Sequence, residues 1–322
     1  MAKTLANTDD RFDNIPLHLA CMAGHAEAVD VLISAGANID DKNEDEKTPC
    51  HLAAEGDHEE VLRLLLDRDP NAVNDKDEED NTPLHLAARG GCVAALQLLL
   101  EYSASVFKRN DFGLTALDCA AEADSLQCAQ LLLQKDSPVD SFDLKKNTPL
   151  HIAAKKGHHK LASLLLDHEA SLVEKDSSDN NALELAILHR NRSVVETILE
   201  KDKKVWEGAF KSVNYNVNQI LDASIPETPL RMLIRTFPDL AEIVFTKSIS
   251  KVNQKEEDEV KKENELELDY QFLDDLERLK EDSKERLKIG LSNPDDEHVL
   301  NERNHPFMVM IESNQKQLLK HP

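Results

Sequence analysis

Residues 81–91 read NTPLHLAARGG, and nearly the same words return at 147–157 as NTPLHIAAKKG, at 47–57 as KTPCHLAAEGD and at 14–24 as NIPLHLACMAG. Two weaker copies, LTALDCAAEAD at 114–124 and NNALELAILHR at 180–190, complete a register that starts at Asn14, Lys47, Asn81, Leu114, Asn147 and Asn180. The intervals are 33, 34, 33, 33 and 33 residues. Six copies at one spacing are one structural unit written six times, and a period of this length belongs to stacked units.

The content of a unit is legible at 81–106. Thr82 is a good N-cap, and Pro83 suits the first helical position, where no amide donor is needed. Leu84, Ala87 and Ala88 fall on one helical face, and Gly90 and Gly91 stop the helix. A second helix is expected from Val93 to about Tyr102, with Leu96, Leu99 and Leu100 at helical spacing. Polar linkers such as DKDEED (75–80) lead to the next unit. A lone pair of helices cannot bury both faces, so the units must stack.

A period of 33 carrying T-P-L-H-x-A resembles the ankyrin repeat, over residues 10–200. The resemblance implies an all-α solenoid of six helix-turn-helix units with hairpin fingers, binding proteins along the fingers and the adjacent concave face. The motif positions are Pro16 and His18, Pro49 and His51, Pro83 and His85, Pro149 and His151. Histidines can ligate metals or act as bases, but these recur with the structural period, which points to tying helix starts to neighbouring turns. Ala116 and Ala182 replace the proline, and Asp118 and Glu184 the histidine, in repeats four and six. The carboxylate-rich fingers fail as calcium loops: counted from Asp75, the glycine position holds Asp80 and the final glutamate position Leu86. They read as solvated tips. Tips 40–46 (DDKNEDE) and 75–80 are acidic, while FKRN (107–110) and LKKN (144–147) are basic. That split either orients a charged partner or is a mixed solvated surface.

Composition agrees. The 322 residues are 40% apolar but only 4% aromatic, so the core is built of Leu, Ala, Val and Ile, against an all-β fold. With 38 Lys and Arg against 62 Asp and Glu, the net charge of -24 repels phosphate backbones and anionic lipid. Five cysteines without CxxC spacing argue against a disulfide framework or zinc site and suit a reducing compartment. MAKTLANTDD is no signal peptide, and no apolar stretch approaches the ~18 residues of a membrane span. The chain is therefore expected to be cytosolic. No glycine-rich phosphate loop, GxSxG or separable Cys/His pair is present, so no cofactor and no enzymatic activity are expected.

After Glu200 the period breaks. Residues 201–250 read as a helical linker: KDKKVWEGAFKSV is a short amphipathic helix with the sole Trp, and SIPETPLRMLIRTFPDLAEIVFTKSI (224–249) is a helix pair. Thr228 caps the first of these, Pro229 starts it and the second follows Pro238. Pro229 lies 47 residues after Ala182, so the pair is not spaced as a seventh repeat. Residues 251–322 hold a charged linker, a candidate strand near 265–273 with Leu266, Leu268, Tyr270 and Phe272 alternating with polar residues, and a final short helix.

The order KVWEGAFKSV, TPLRMLIRTFPDLAEIVF, LDYQFLDDLERL, HPFMVMIESNQKQLLKHP resembles the transient receptor potential ankyrin-type (TRPA) cation channels, where it joins the ankyrin arm to the membrane domain. The closing phrase (Asn314, Leu318, Leu319, His321, Pro322) resembles the segment before the first membrane span. The resemblance implies a tetrameric, calcium-permeable, non-selective cation channel of the plasma membrane, with this region on its cytoplasmic side and other channel subunits as partners. The pore is absent, and so are most of the upstream repeats usual in the family; the chain reads as a fragment, a truncated product or a short isoform. Trp206, Pro229, Leu230, Phe237, Pro238 and Leu240 are the candidate coupling elements, or else they simply close the end of the solenoid. Irritant-sensing members use reactive linker cysteines, but the matching segments WEGAF, SIPETPL and FTKSIS contain none; Lys280 or Lys284 lies in the region of a linker lysine that joins that chemistry. The alternative function is a soluble ankyrin adaptor binding cytosolic proteins.

Overall fold

The structure, a computed structural model, describes residues 5–210, 229–241 and 243–244. The candidate strand near 265–273, the closing helix and Lys280 and Lys284 lie outside the described residues. Two compact units are formed, Met1–Ser171 with Lys175–Ser177, and Leu172–Glu174 with Ser178–Pro322.

The first unit is built from five helix pairs: α1 (Pro16–Met22) and α2 (Ala26–Ser34), α3 (Pro49–Glu55) and α4 (Glu59–Arg68), α5 (Pro83–Gly90) and α6 (Val93–Glu101), α7 (Ala116–Glu122) and α8 (Leu126–Gln134), α9 (Pro149–Lys156) and α10 (His159–Asp167). A short 3-10 helix, Pro70–Asn74, follows α4. First helices pack in a row, α1 on α3 on α5 on α7 on α9, and second helices form a parallel row. Paired alanines make the close first-helix row possible: Ala53 and Ala54, Ala87 and Ala88, Ala120 and Ala121, and Ala153 and Ala154 are all fully buried. Leu62, Leu65, Leu96, Leu99, Leu132 and Leu165 of the second helices are buried as completely. Each buried leucine contributes roughly 1.5–3 kcal/mol. No strand occurs among the described residues.

First helices end one residue later than two glycines suggest. Gly90 is still helical, and Gly91 takes the left-handed conformation at φ +70°, as Gly157 does at +87°. Asp57, Asp124 and Arg190 hold the same position at φ near +57° without being glycine.

The fingers are organised by a residue whose role the acidic composition hides. In each, one Asp or Asn side chain accepts backbone N–H groups two and four residues on: Asp10 from Phe12 and Asn14, Asn43 from Asp45 and Lys47, Asp77 from Glu79 and Asn81, Asn110 from Phe112 and Leu114, Asp143 from Lys145 and Asn147. This is the Asx turn in its periodic form. Asp77 is only 6% exposed, so it is a structural acceptor and not a solvated tip. One backbone bond then joins each finger to the one before: Glu44 N–H to Phe12 C=O, Glu78 to Asp45, Asp111 to Glu79, Leu144 to Phe112 and Ser177 to Lys145.

The second unit holds α11 (Ala182–Leu188), α12 (Arg192–Glu200), α13 (Lys203–Phe210) and α14 (Pro229–Thr236). α14 packs on α11 as each first helix does on the next in the other unit. α14 thus stacks on the first helix of the sixth unit although Pro229 lies 47 residues after Ala182. Part of the extra length is α13, whose Ala209 carbonyl accepts from Asn181 Nδ2 at 3.0 Å. In earlier repeats a finger carbonyl about as far along the chain receives that bond.

Candidate interaction surface

Each motif histidine sits at the third position of a first helix and works through both ring nitrogens. Nδ1 accepts the N–H of the capping residue, from Ile15 to His18 (3.2 Å), Thr48 to His51 (3.2 Å), Thr82 to His85 (3.1 Å) and Thr148 to His151 (3.2 Å). The Thr48, Thr82 and Thr148 hydroxyls lie 2.8–2.9 Å from the same nitrogens. The proton therefore sits on Nε2. From there it reaches the next unit's finger: Asp41 and Lys47 carbonyls from His18, Asn81 from His51 at 3.0 Å, and Leu114 from His85 at 3.1 Å. Burial holds His51 and His85 at about 4 and also lowers His18, because a charged ring there would lose its water. These groups are neutral struts. Among the described residues no three His, Cys, Asp or Glu side chains gather as a metal site.

Repeats four and six solve the same problem with other chemistry. Asp118 cannot donate from an ionised carboxylate, so the direction reverses: the Ser141 hydroxyl donates to its Oδ2 at 3.0 Å, beside the Thr115 N–H and O–H. Its Oδ1 is buried without a partner, and desolvation raises its pKa to about 6. In repeat six Glu184 accepts the Asn181 N–H, and the Asn181 amide supplies the onward donor. Restoring the motif with Asp118→His should raise the urea-unfolding free energy at pH 7 by about 1 kcal/mol, the usual gain from a consensus substitution. Lower stability would mean the Ser141 tie outweighs the orphaned oxygen.

Two depressions open between fingers and first helices of the first unit. One, of about 470 Å³, is lined by Phe12, Met22 and Leu52 among Glu44, Asp45, Lys47 and Glu55. The other, of about 530 Å³, is lined by Phe112, Leu144 and Ile152, with Arg89, Lys145, Lys155 and Lys156 around them and Glu79, Glu122 and Asp143 as its carboxylates. The first is acidic, the second carries an excess of cations.

The candidate coupling residues gather in the second unit. Trp206 is fully buried on α13, edge-to-face on Phe210 at 5.6 Å. Pro229 and Leu230 open α14, buried, and Leu240 is buried beyond it. Phe237 and Pro238, half-buried, link the two, with the Arg192 guanidinium 5.9 Å over the Phe237 ring and hydrogen-bonded to Asp239. These are packing contacts around α11–α14.

All five cysteines are buried. Burial raises the thiols of Cys21, Cys119 and Cys128 to about 12, and those of Cys50 and Cys92 rise for the same reason. With negligible thiolate they are poor nucleophiles. Iodoacetamide at pH 7.5 should leave the native protein essentially unlabelled and modify all five after denaturation; rapid native labelling would refute this.

The family profile described as "Ankyrin repeats" matches three times, over residues 1–77, 68–143 and 137–208. The chain belongs to the ankyrin-repeat family. It is 39% identical over 67 residues to the transient receptor potential cation channel subfamily A member 1 homolog of Caenorhabditis elegans, and 37% identical over 65 residues to subfamily A member 1 of Homo sapiens. It is 33% identical over 67 residues to inversin of Mus musculus. Each match covers 20–21% of this chain and 6% of the relative. No described helix of this ankyrin-repeat chain is long and apolar enough to cross a membrane.

Proposed function

We propose that this chain is a protein-interaction arm, and that it serves as a cytoplasmic regulatory region of a TRPA-type cation channel. The order of phrases after the repeats, from KVWEGAFKSV to QKQLLKHP, carries this reading. The matches to two subfamily A channels support it. The mechanism is mechanical. Shifts in the packing of α11–α14, centred on Trp206, Leu230 and Leu240, bias the gate of a tetramer of such subunits at the plasma membrane. No catalysis is involved.

Sequencing the transcript through and beyond the codon for Pro322 tests this. Several following apolar stretches of about 20 residues each support the channel. A stop codon there ends that reading for this product. The second reading, an adaptor for cytosolic proteins, then stands, supported by the ankyrin repeats themselves.

A further inference from the structure

We infer that the depression between fingers four and five binds an acidic peptide segment carrying apolar anchor side chains. The inference rests on the interaction-arm reading and names the partner's chemistry.

Two exposed large apolar side chains line it. Leu144 is 76% exposed and Phe112 50%, although their backbones are hydrogen-bonded to each other, N–H of Leu144 to C=O of Phe112. Two large apolar side chains thus stand together on adjacent fingers, above Ile152 on α9. Isolated exposed apolar residues are unremarkable, but a contiguous patch in a concavity marks a contact surface.

Charge then selects the occupant. Lys145, Lys155 and Lys156 surround the patch in a protein of net charge -24. The Lys145 ammonium has no partner among the described residues. Of the three rim carboxylates, one faces a cation. Asp143 accepts from two backbone N–H groups and the Asn147 amide, and Glu79 accepts from Asn81 and faces Arg89 at 4.0 Å. Glu122 and Asp143, whose neutral donors leave a carboxylate's charge in place, are then set against three lysines, of which Lys156 also donates to the Glu122 backbone carbonyl at 3.2 Å. An extended segment alternating carboxylates with aliphatic or aromatic residues meets both requirements, and complementary charge sets specificity and on-rate. The other depression has the opposite rim, with Glu44, Asp45 and Glu55, so the two grooves discriminate by sign.

The test is fluorescence anisotropy with a short labelled peptide alternating Glu with Leu and Phe, and its Lys-for-Glu counterpart, on the full chain. The Glu peptide should bind and weaken about tenfold or more in a Leu144→Ser/Lys145→Glu double variant, since a few anchors dominate such contacts. It should also weaken as the Debye length falls from ~10 to ~3 Å between about 0.1 and 1 M salt. Glu44→Lys, in the other groove, should change binding less than about twofold, as distant sites act independently. All substituted side chains are exposed or half-buried, so circular dichroism should match the parent. Absence of binding, equal binding by the double variant, or a Glu44→Lys effect as large as the double variant's overturns the inference. The transcript result does not depend on any of these outcomes, so the channel reading survives or falls separately.

Discussion

Acidification from pH 7 to about 4 should destabilise the first unit of the array, with His51 and His85 supplying most of the loss. Each is a base whose pKa falls from 6.5 to about 4 on folding. The unfolded chain therefore takes up the proton more readily. The stabilisation is complete above about 6.5 and disappears as the pH falls through 4. At about 1.4 kcal/mol per pKa unit, each histidine is worth on the order of 3 kcal/mol. The structural cause is specific: a proton on Nδ1 would face the capping N–H and hydroxyl that now point at its lone pair.

Asp118 works in the opposite sense. Its pKa rises from 3.8 to about 6 on folding, so the unfolded chain loses that proton more easily. Its effect is to lower stability as the pH rises from about 4 to 6, offsetting part of the histidine effect by a similar amount. Urea titrations followed by circular dichroism at several pH values check both. The parent should weaken toward pH 4, and the Asp118→His variant should weaken more steeply. A parent whose stability is flat from pH 7 to 4 would show that the buried rings are not desolvated as the structure has them.

Trp206→Ala should be the most damaging single substitution in the second unit, at about 3–5 kcal/mol. The side chain is fully buried, α13 packs on α12, and the ring contacts Phe210 edge-on. Such an aromatic pair adds about 0.5–1.5 kcal/mol beyond area burial. Hydrogen exchange reads the outcome by segment. Amides of α11–α14 should lose protection, while those of α3–α6 keep theirs, because repeat stability is set by nearest neighbours. Unchanged protection in α11 and α12 would mean that α13 is an ornament on the sixth repeat and not part of its core.

The helix pairs were legible from sequence because T-P-L-H fixes a cap, a first residue and a strut at once. Thr82, Pro83 and His85 do what those residue types must do at a buried helix start. The fingers were less legible. Their organising acceptors, Asp10, Asn43, Asp77, Asn110 and Asp143, recur with the same period, but they sit among charged neighbours and vanish into the composition. Reading Asp/Asn four residues before each unit start would have separated them. The stacking of α14 on α11 was not legible from the repeat spacing. Spacing is a chain-length criterion, whereas packing on α11 needs only an apolar face, which Leu230, Leu233 and Ile234 supply. The onward tie of Asn181 was equally hidden, since it moves the donor from the third helical position to the cap.

The ties between neighbouring fingers and helices have a kinetic corollary. In the first unit the side-chain ties from a first helix to the next finger join residues as near as His18 and Asp41, 23 apart, and none needs the chain ends to meet. Even the Asp57 carboxylate accepting the Ala95 N–H spans only 38 residues. Loop-closure entropy is thus limited to about one period per step, however many units follow. Such a chain has low relative contact order, so adding repeats should leave its folding rate nearly unchanged. Under a pulling force it should yield in small successive extensions, each the length of one repeat.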